Sequence, residues 1–311
     1  MQRTLELKAA SAGGRAKAKL LGEARTLNDA MRKYKEEVSP GKRGWRWEFV
    51  RIDAITTTHP EWPGERRMSE LDEQDLIAWR DARAKVVKGS TMLREMALVN
   101  AVLDTARRDW GWLERNPLTD VRKPPTPAHR ERVISFAEVR GMLRALGWSR
   151  HRGNDKSQRK VVAHCFIAAL QTGMRAGEIC NLRWADVKSS YCVLRAGETK
   201  TGRGREVPLT PSAKRNIEAL RGRDDERVFA VDAASLDAQF RYYRTKAKLK
   251  GFTFHDSRHT AATHMAQKIH VLDLCKVFGW TDPKRAMIYY NPTGADIAAR
   301  LSAAASSSPT L

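Results

Sequence analysis

Apolar residues recur at helical spacing through most of this chain, and the exceptions are short. Between residues 26 and 110 the three- and four-residue period, with capping residues ahead of the apolar runs, predicts helices near 26–38, 45–57, 70–87 and 90–110. Thr26 followed three residues later by Asp29 marks the first start. The stretch VRKPPTPAHRERV, residues 121–133, then breaks the period with prolines and basic groups, as an extended, partly stiff linker does. A domain boundary is expected there.

After the linker, SFAE at 135–138 reads as a capping box opening a helix, and KVVAHCFIAALQT at 160–172 is a strongly apolar helix that Gly173 ends. The period then changes. ADVKSSYCVLRAGETKTGRGREVPLT holds β-branched and aromatic residues between glycine-rich turns, predicting a small antiparallel sheet with a hairpin tip near 200–204. Helices return over about 211–221, 235–249, 256–268 and 271–278, and Asp282 with Pro283 opens a last short one that Asn291 before Pro292 stops. The fold class expected is mainly α with a small antiparallel β-sheet, in two domains, which 311 residues can supply with separate cores. The domains are placed as a basic arm at 1–22, a helical domain at 23–120, the linker at 121–133, a second domain at 134–293 and a tail at 294–311.

The formal charge of +21 changes the picture, because so basic a chain expects a polyanion as partner, nucleic acid first. No apolar run approaches the roughly 18 residues that cross a bilayer, and no secretory leader is visible, so a soluble cytoplasmic protein without membrane contact is expected. The four cysteines, Cys165, Cys180, Cys192 and Cys275, lie far apart among apolar neighbours and lack the paired spacing that holds zinc. They read as reduced, buried thiols.

Candidate chemistry gathers in the second domain: TGMRAGEICNLRWADV at 172–187, GETKTGRGREVPL at 197–209, HDSRHT at 255–260, FGW at 278–280, and the pair Tyr289 and Tyr290 in KRAMIYYNP. The glycine-rich stretch lacks the terminal Gly-Lys-Ser/Thr and following helix of a nucleotide-binding loop. His255 and His259, four apart, could meet a metal with His264 nearby, but Asp256 follows His255 where the zinc-protease pattern needs glutamate.

Taken in chain order, these motifs resemble the catalytic set of the tyrosine recombinase (phage integrase) family over most of residues 130–292. The resemblance implies Arg175 as the first catalytic arginine with Glu178 beside it, Lys200 on the hairpin, and His255 and Arg258 in the His-x-x-Arg box, where Ser257 replaces the usual leucine. Trp280 stands where a histidine is commonest. Its indole keeps a donor for a phosphate oxygen but cannot relay a proton. Nine residues beyond Trp280 the family's nucleophile falls on Tyr289. Helical geometry separates the neighbouring tyrosines by about 100°. Tyr290 shares a stripe with Met287 and Pro283, expected to face the core, while Tyr289 lies over Arg285 and Ala286.

The same resemblance implies a two-domain clamp on double-stranded DNA, in which a core-binding domain and a catalytic domain act at attachment sites. Cleavage would run through a 3′-phosphotyrosyl link, with strand exchange through a Holliday junction in a homotetramer on synapsed DNA and no cofactor, metal or ATP. Host DNA-bending or excisionase proteins are possible accessories, and the tail could dock on a neighbouring protomer. First-domain wording such as WGWLERNP looks most like prophage and genomic-island integrases. Two alternatives stay open: a catalytically silent DNA-binding protein of the same fold, and a type IB topoisomerase.

Overall fold

A computed structural model describes residues 20–126, 132–148, 157–197, 202–290, 292–295, 297–299 and 302. The expected N-terminal arm, part of the linker, the hairpin tip with Lys200 and most of the tail fall outside the described residues. The chain separates into two compact units, 1–129 and 130–311, the division falling within the proline-rich stretch. No described helix is long and apolar enough to cross a membrane.

The first unit carries α1 (Leu27–Glu37), α2 (Trp45–Thr58), α3 (Glu73–Ala84) and α4 (Gly89–Arg108). Helix α1 starts where its capping box puts it: Thr26 Oγ1 accepts from Asp29 N at 3.2 Å and Asp29 Oδ2 accepts from Thr26 N at 3.0 Å. The helices bury Leu27, Met31, Tyr34, Ile55, Trp79, Met92, Val99 and Leu103 against one another. Glu95 is fully buried on α4 and survives there because Arg51 of α2 donates to it at 2.9 Å and Arg83 of α3 forks onto both its oxygens.

The second unit runs α5 (Phe136–Ala145), α6 (Gln158–Thr172), α7 (Ala176–Cys180), β1 (Tyr191–Leu194), β2 (Arg205–Pro208), α8 (Pro211–Glu218), α9 (Ala233–Lys246), α10 (Asp256–Ala266), α11 (Val271–Phe278) and the single turn α12 (Lys284–Met287). The predicted helix starts hold to within a few residues. The small antiparallel sheet is present as expected: two strands, with Cys192 opposite Val207 and Leu194 opposite Arg205. Their loop closes through Gly197 N donating to Gly202 O at 3.0 Å. Helix α7 was not expected as a separate element; it is a five-residue turn buried inside the first arginine motif.

The larger core gathers around Phe240, whose ring meets Phe166, Phe252 and Phe254 at 5.2, 6.0 and 5.4 Å. A smaller cluster joins Ala261, Ala262, Leu274, Val277, Phe278 and Ala286, and Trp280 and Tyr289 pack on it. Four buried cysteines agree with the expectation of enclosed thiols; burial pushes Cys180 and Cys192 up to about 12.

Helix α6 ends at Gly173, which takes a left-handed conformation at φ 67° and donates to Ala169 O at 3.0 Å. A Cβ there would stand 2.4 Å from the buried Phe278 ring. Gly173→Ala therefore meets both a backbone and a packing penalty, and we expect it to lower stability by about 2–4 kcal/mol, read from the urea midpoint. Gly177→Ala, in α7 with open space at its Cβ, should instead be neutral or raise stability by up to about 1 kcal/mol.

Candidate active site

The site is built around the turn that leaves α6. Gly173 reverses the chain, and Arg175 follows in an extended conformation as the residue capping α7. Its backbone N–H donates to Glu178 Oε2 at 2.8 Å and its Nη1 to Oε1 at 2.8 Å. Glu178 is buried, with a side chain 3% exposed, and its main partner comes from elsewhere: Arg205 on β2 donates Nη1 to Oε1 at 2.8 Å and Nη2 to Oε2 at 2.7 Å. Arg205 also donates Nε to the Val277 carbonyl at 2.8 Å, joining the sheet to the end of α11. Although burial opposes its charge, these guanidiniums hold the Glu178 carboxyl down to about 2.

Arg258 is buried on α10. Its Nη1 donates to Gly173 O at 2.5 Å and its Nη2 to Phe278 O at 2.8 Å, while its guanidinium lies 4.6 Å from the Phe278 ring centre. Burial first, then the neighbouring Arg175, pushes Arg258 down to about 9, so it remains charged at neutral pH. Arg175 and Arg205 thus share one carboxylate while Arg258 beside them rests on carbonyls, which leaves a local surplus of positive charge to attract a polyanion. Ser257, beside Arg258, is buried and satisfied by donating to Phe254 O at 2.5 Å, which lets a hydroxyl occupy an apolar slot.

Trp280 follows Gly279, whose left-handed φ of 64° closes α11. The indole stacks with Phe278 at 4.7 Å and with Tyr289 at 5.4 Å, the latter pair only 2° from parallel. Tyr289 is half-buried, and its Oη lies 2.5 Å from His259 Nδ1. His255 is exposed at the start of α10, its ring edge-to-face with His259 at 5.0 Å. Lys200 lies outside the described residues; the strands and the Gly197–Gly202 closure bracket its segment.

Two expectations need correction. The tyrosine pair does not end a helix, because α12 stops at Met287 and both residues lie in the turn beyond it. The stripe of Pro283 and Met287 does not face the core either. Met287 is 53% exposed, Pro283 is exposed, and Ala286 is the buried residue. Tyr289 N donates to Ala286 O at 3.0 Å, the three-residue step that sets Tyr289 over Ala286 and onto the small cluster, while Tyr290 is half-buried. A single turn offers one inward position, and the smallest side chain took it.

Arg205 and His259 were not singled out for these positions. Arg205 left a signal: strand alternation puts it on the same face as the fully buried Val207, an unusual place for a charge unless an acid awaits it. His259 was visible only as a possible metal ligand. Among the described residues no group of three or more His, Cys, Asp or Glu is placed to hold a metal ion.

Comparison with known proteins places the chain among integrases and recombinases in family and fold. A model described as the Phage integrase family matches residues 144–295. A Haemophilus influenzae protein named as an integrase/recombinase is 30% identical over 263 residues, covering 83% of this chain and 70% of the relative. The shufflon-specific DNA recombinase of Escherichia coli is 28% identical over 265 residues, 82% of this chain and 66% of the relative. Among solved structures, a lambda integrase tetramer bound to a Holliday junction matches the fold with TM-score 0.71 at 16% identity, covering 93% of this chain and 84% of that one. The Tn1549 transposon integrase in complex with a circular intermediate DNA does so with TM-score 0.70 at 15% identity, covering 89% and 99%. The fold is that of DNA breaking-rejoining enzymes. The chain belongs to the phage integrase family and is a tyrosine-type site-specific DNA recombinase.

Glu178 supplies a test of the arginine cluster. Its folded pKa lies below the ordinary carboxylate value, so its stabilisation is complete above about pH 4.5 and is lost as pH falls toward 2. The drop from 4.5 to about 2 corresponds to about 3 kcal/mol. Glu178→Gln should lose about that much stability at pH 7 and flatten the acid limb of unfolding free energy against pH, measured by urea titration.

Proposed function

We propose that Tyr289 is the nucleophile and that Arg175, Arg258, His255, Trp280 and Lys200 act with it on a scissile phosphodiester of double-stranded DNA. The observation that carries this reading is the continuity of the site: Trp280 stacks on Tyr289 while Arg258 lies 5.8 Å from the Trp280 ring centre. The tyrosine and the buried cation therefore share one surface.

The chemistry follows from charge. The transition state gathers negative charge on the non-bridging phosphate oxygens, where the planar forks of Arg175 and Arg258 suit two oxygens at once. Backbone carbonyls hold Arg258 in one plane, so little reorganisation is needed when the phosphate arrives. Tyr289 Oη gives up its proton to a histidine base as it attacks phosphorus, the bond to the 5′-oxygen breaks, and Lys200 supplies the proton that makes the leaving 5′-hydroxyl. The 3′-phosphotyrosyl link keeps the bond energy, so rejoining to another strand needs no ATP. Trp280 adds packing and an indole donor, and Glu178 positions the arginines rather than reacting.

At the level of assembly, the helical unit at 23–120 serves as a core-binding domain and the unit at 134–293 as the catalytic domain. Four protomers act on two synapsed attachment sites and exchange strands through a Holliday junction, as an integrase of a prophage or genomic island in the bacterial cytoplasm. The named activities of the relatives and the Holliday-junction complex of lambda integrase support this reading. Salt-dependent affinity comes from the lysines and arginines behind the +21 charge.

A covalent-capture assay tests it. Duplexes from the junctions flanking the gene, nicked near candidate crossover points, are mixed with wild type, Tyr289→Phe or Tyr290→Phe and run on a denaturing gel. Wild type and Tyr290→Phe should form an adduct and Tyr289→Phe none; an adduct that vanishes only with Tyr290→Phe would overturn the assignment. Arg258→Ala should retain the fold yet slow adduct formation about 100- to 1,000-fold.

A further inference from the structure

We propose that His259, rather than His255, accepts the proton of Tyr289 during strand cleavage and returns it during rejoining; this rests on the reading of Tyr289 as nucleophile. The geometry is direct. Tyr289 Oη lies 2.5 Å from His259 Nδ1, and the two rings stack at 5.9 Å and 26°. His259 is half-buried one helical turn beyond His255, so both histidines share a face of α10. The inner one meets the tyrosine, and the outer one is exposed beside it.

The step balances without any further reactant. With the neutral ring protonated on Nε2, Nδ1 carries a lone pair and Tyr289 donates to it. As Oη bonds to phosphorus, its proton passes to Nδ1 and the ring becomes imidazolium, while the bond to the 5′-oxygen breaks and that oxygen takes its proton from Lys200. Rejoining reverses each transfer. Because imidazole titrates near neutral pH, one ring can serve in both directions. Among the described residues, the charged and titratable groups around the pair include His255 on the preceding turn, Arg258 beside it in the chain and, through Arg258, Arg175. The assignment leaves His255, exposed at the mouth of α10, to donate to a phosphate oxygen.

Single-turnover adduct formation tests the proposal on the same nicked duplexes, prepared with an ordinary phosphodiester and with a 5′-bridging phosphorothiolate whose sulfur leaves without a proton. His259→Phe should slow both substrates about 100-fold or more. His259→Gln keeps an acceptor for Oη but cannot hold the proton, so it should slow both and also lose the limb over which the rate rises with pH through the imidazole range. His255→Gln should slow the reaction but keep that limb. The proposal is overturned if His259→Gln retains the limb and a rate within threefold of wild type, or if His255→Gln is the variant that loses the limb. Tyr289→Phe separates the two readings: an adduct persisting in that variant removes the nucleophile assignment and this one together, whatever the histidine variants do. A DNA-free measurement guards against a misfolded variant. In nitrogen-15 spectra of the free protein, neutral His259 should carry its proton on Nε2, with an Nδ1 resonance that shifts in Tyr289→Phe; a proton on Nδ1 in the neutral ring overturns the proposal.

Discussion

The buried carboxylate of Glu178 is the interaction on which the second unit depends. A single acid accepts from the backbone and side chain of Arg175 and from the fork of Arg205, and Arg205 reaches on to the carbonyl of Val277. One charge thereby joins the turn after α6, the second strand and the end of α11. A buried carboxylate without such partners would be neutral or would unfold its surroundings, so the arginines are a condition of its being there. In return the acid holds like charges close together before any phosphate arrives.

That arrangement accounts for the way the basic site is poised. Arg258 is anchored by two carbonyls rather than by an acid, and its neighbours Arg175 and Arg205 repel it. The free protein thus keeps an excess of positive charge in a partly desolvated place, and under the proposed function a phosphate would relieve that repulsion most fully when its own charge is greatest, in the transition state. Gly173 serves both sides of the design: its left-handed turn aims Arg175, and its carbonyl holds Arg258.

The proposed nucleophile is held differently. Tyr289 sits in a turn just beyond a one-turn helix, kept in place by a stack on Trp280, a hydrogen bond to His259 and the small cluster around Phe278. On the proposed mechanism this tyrosine would exchange its proton for a phosphorus bond and back again, a change that a tether of side-chain contacts accommodates.

Much of this was legible in the chain itself. Caps such as Thr26 with Asp29 and Ser135 with Glu138, the apolar period and the glycine stops are local effects, so helices started where neighbouring residues dictated. The order of arginine, histidine and tyrosine motifs likewise pointed to the family, because such motifs are short and local in the chain. What surrounds them was decided in three dimensions. Arg205 became the partner of Glu178 only when a hairpin folded against α7, and His259 met Tyr289 across thirty residues of chain. The direction of the last turn also escaped local reasoning, since a single turn of helix has no periodicity long enough to define a face and tertiary packing chose Ala286 over Met287.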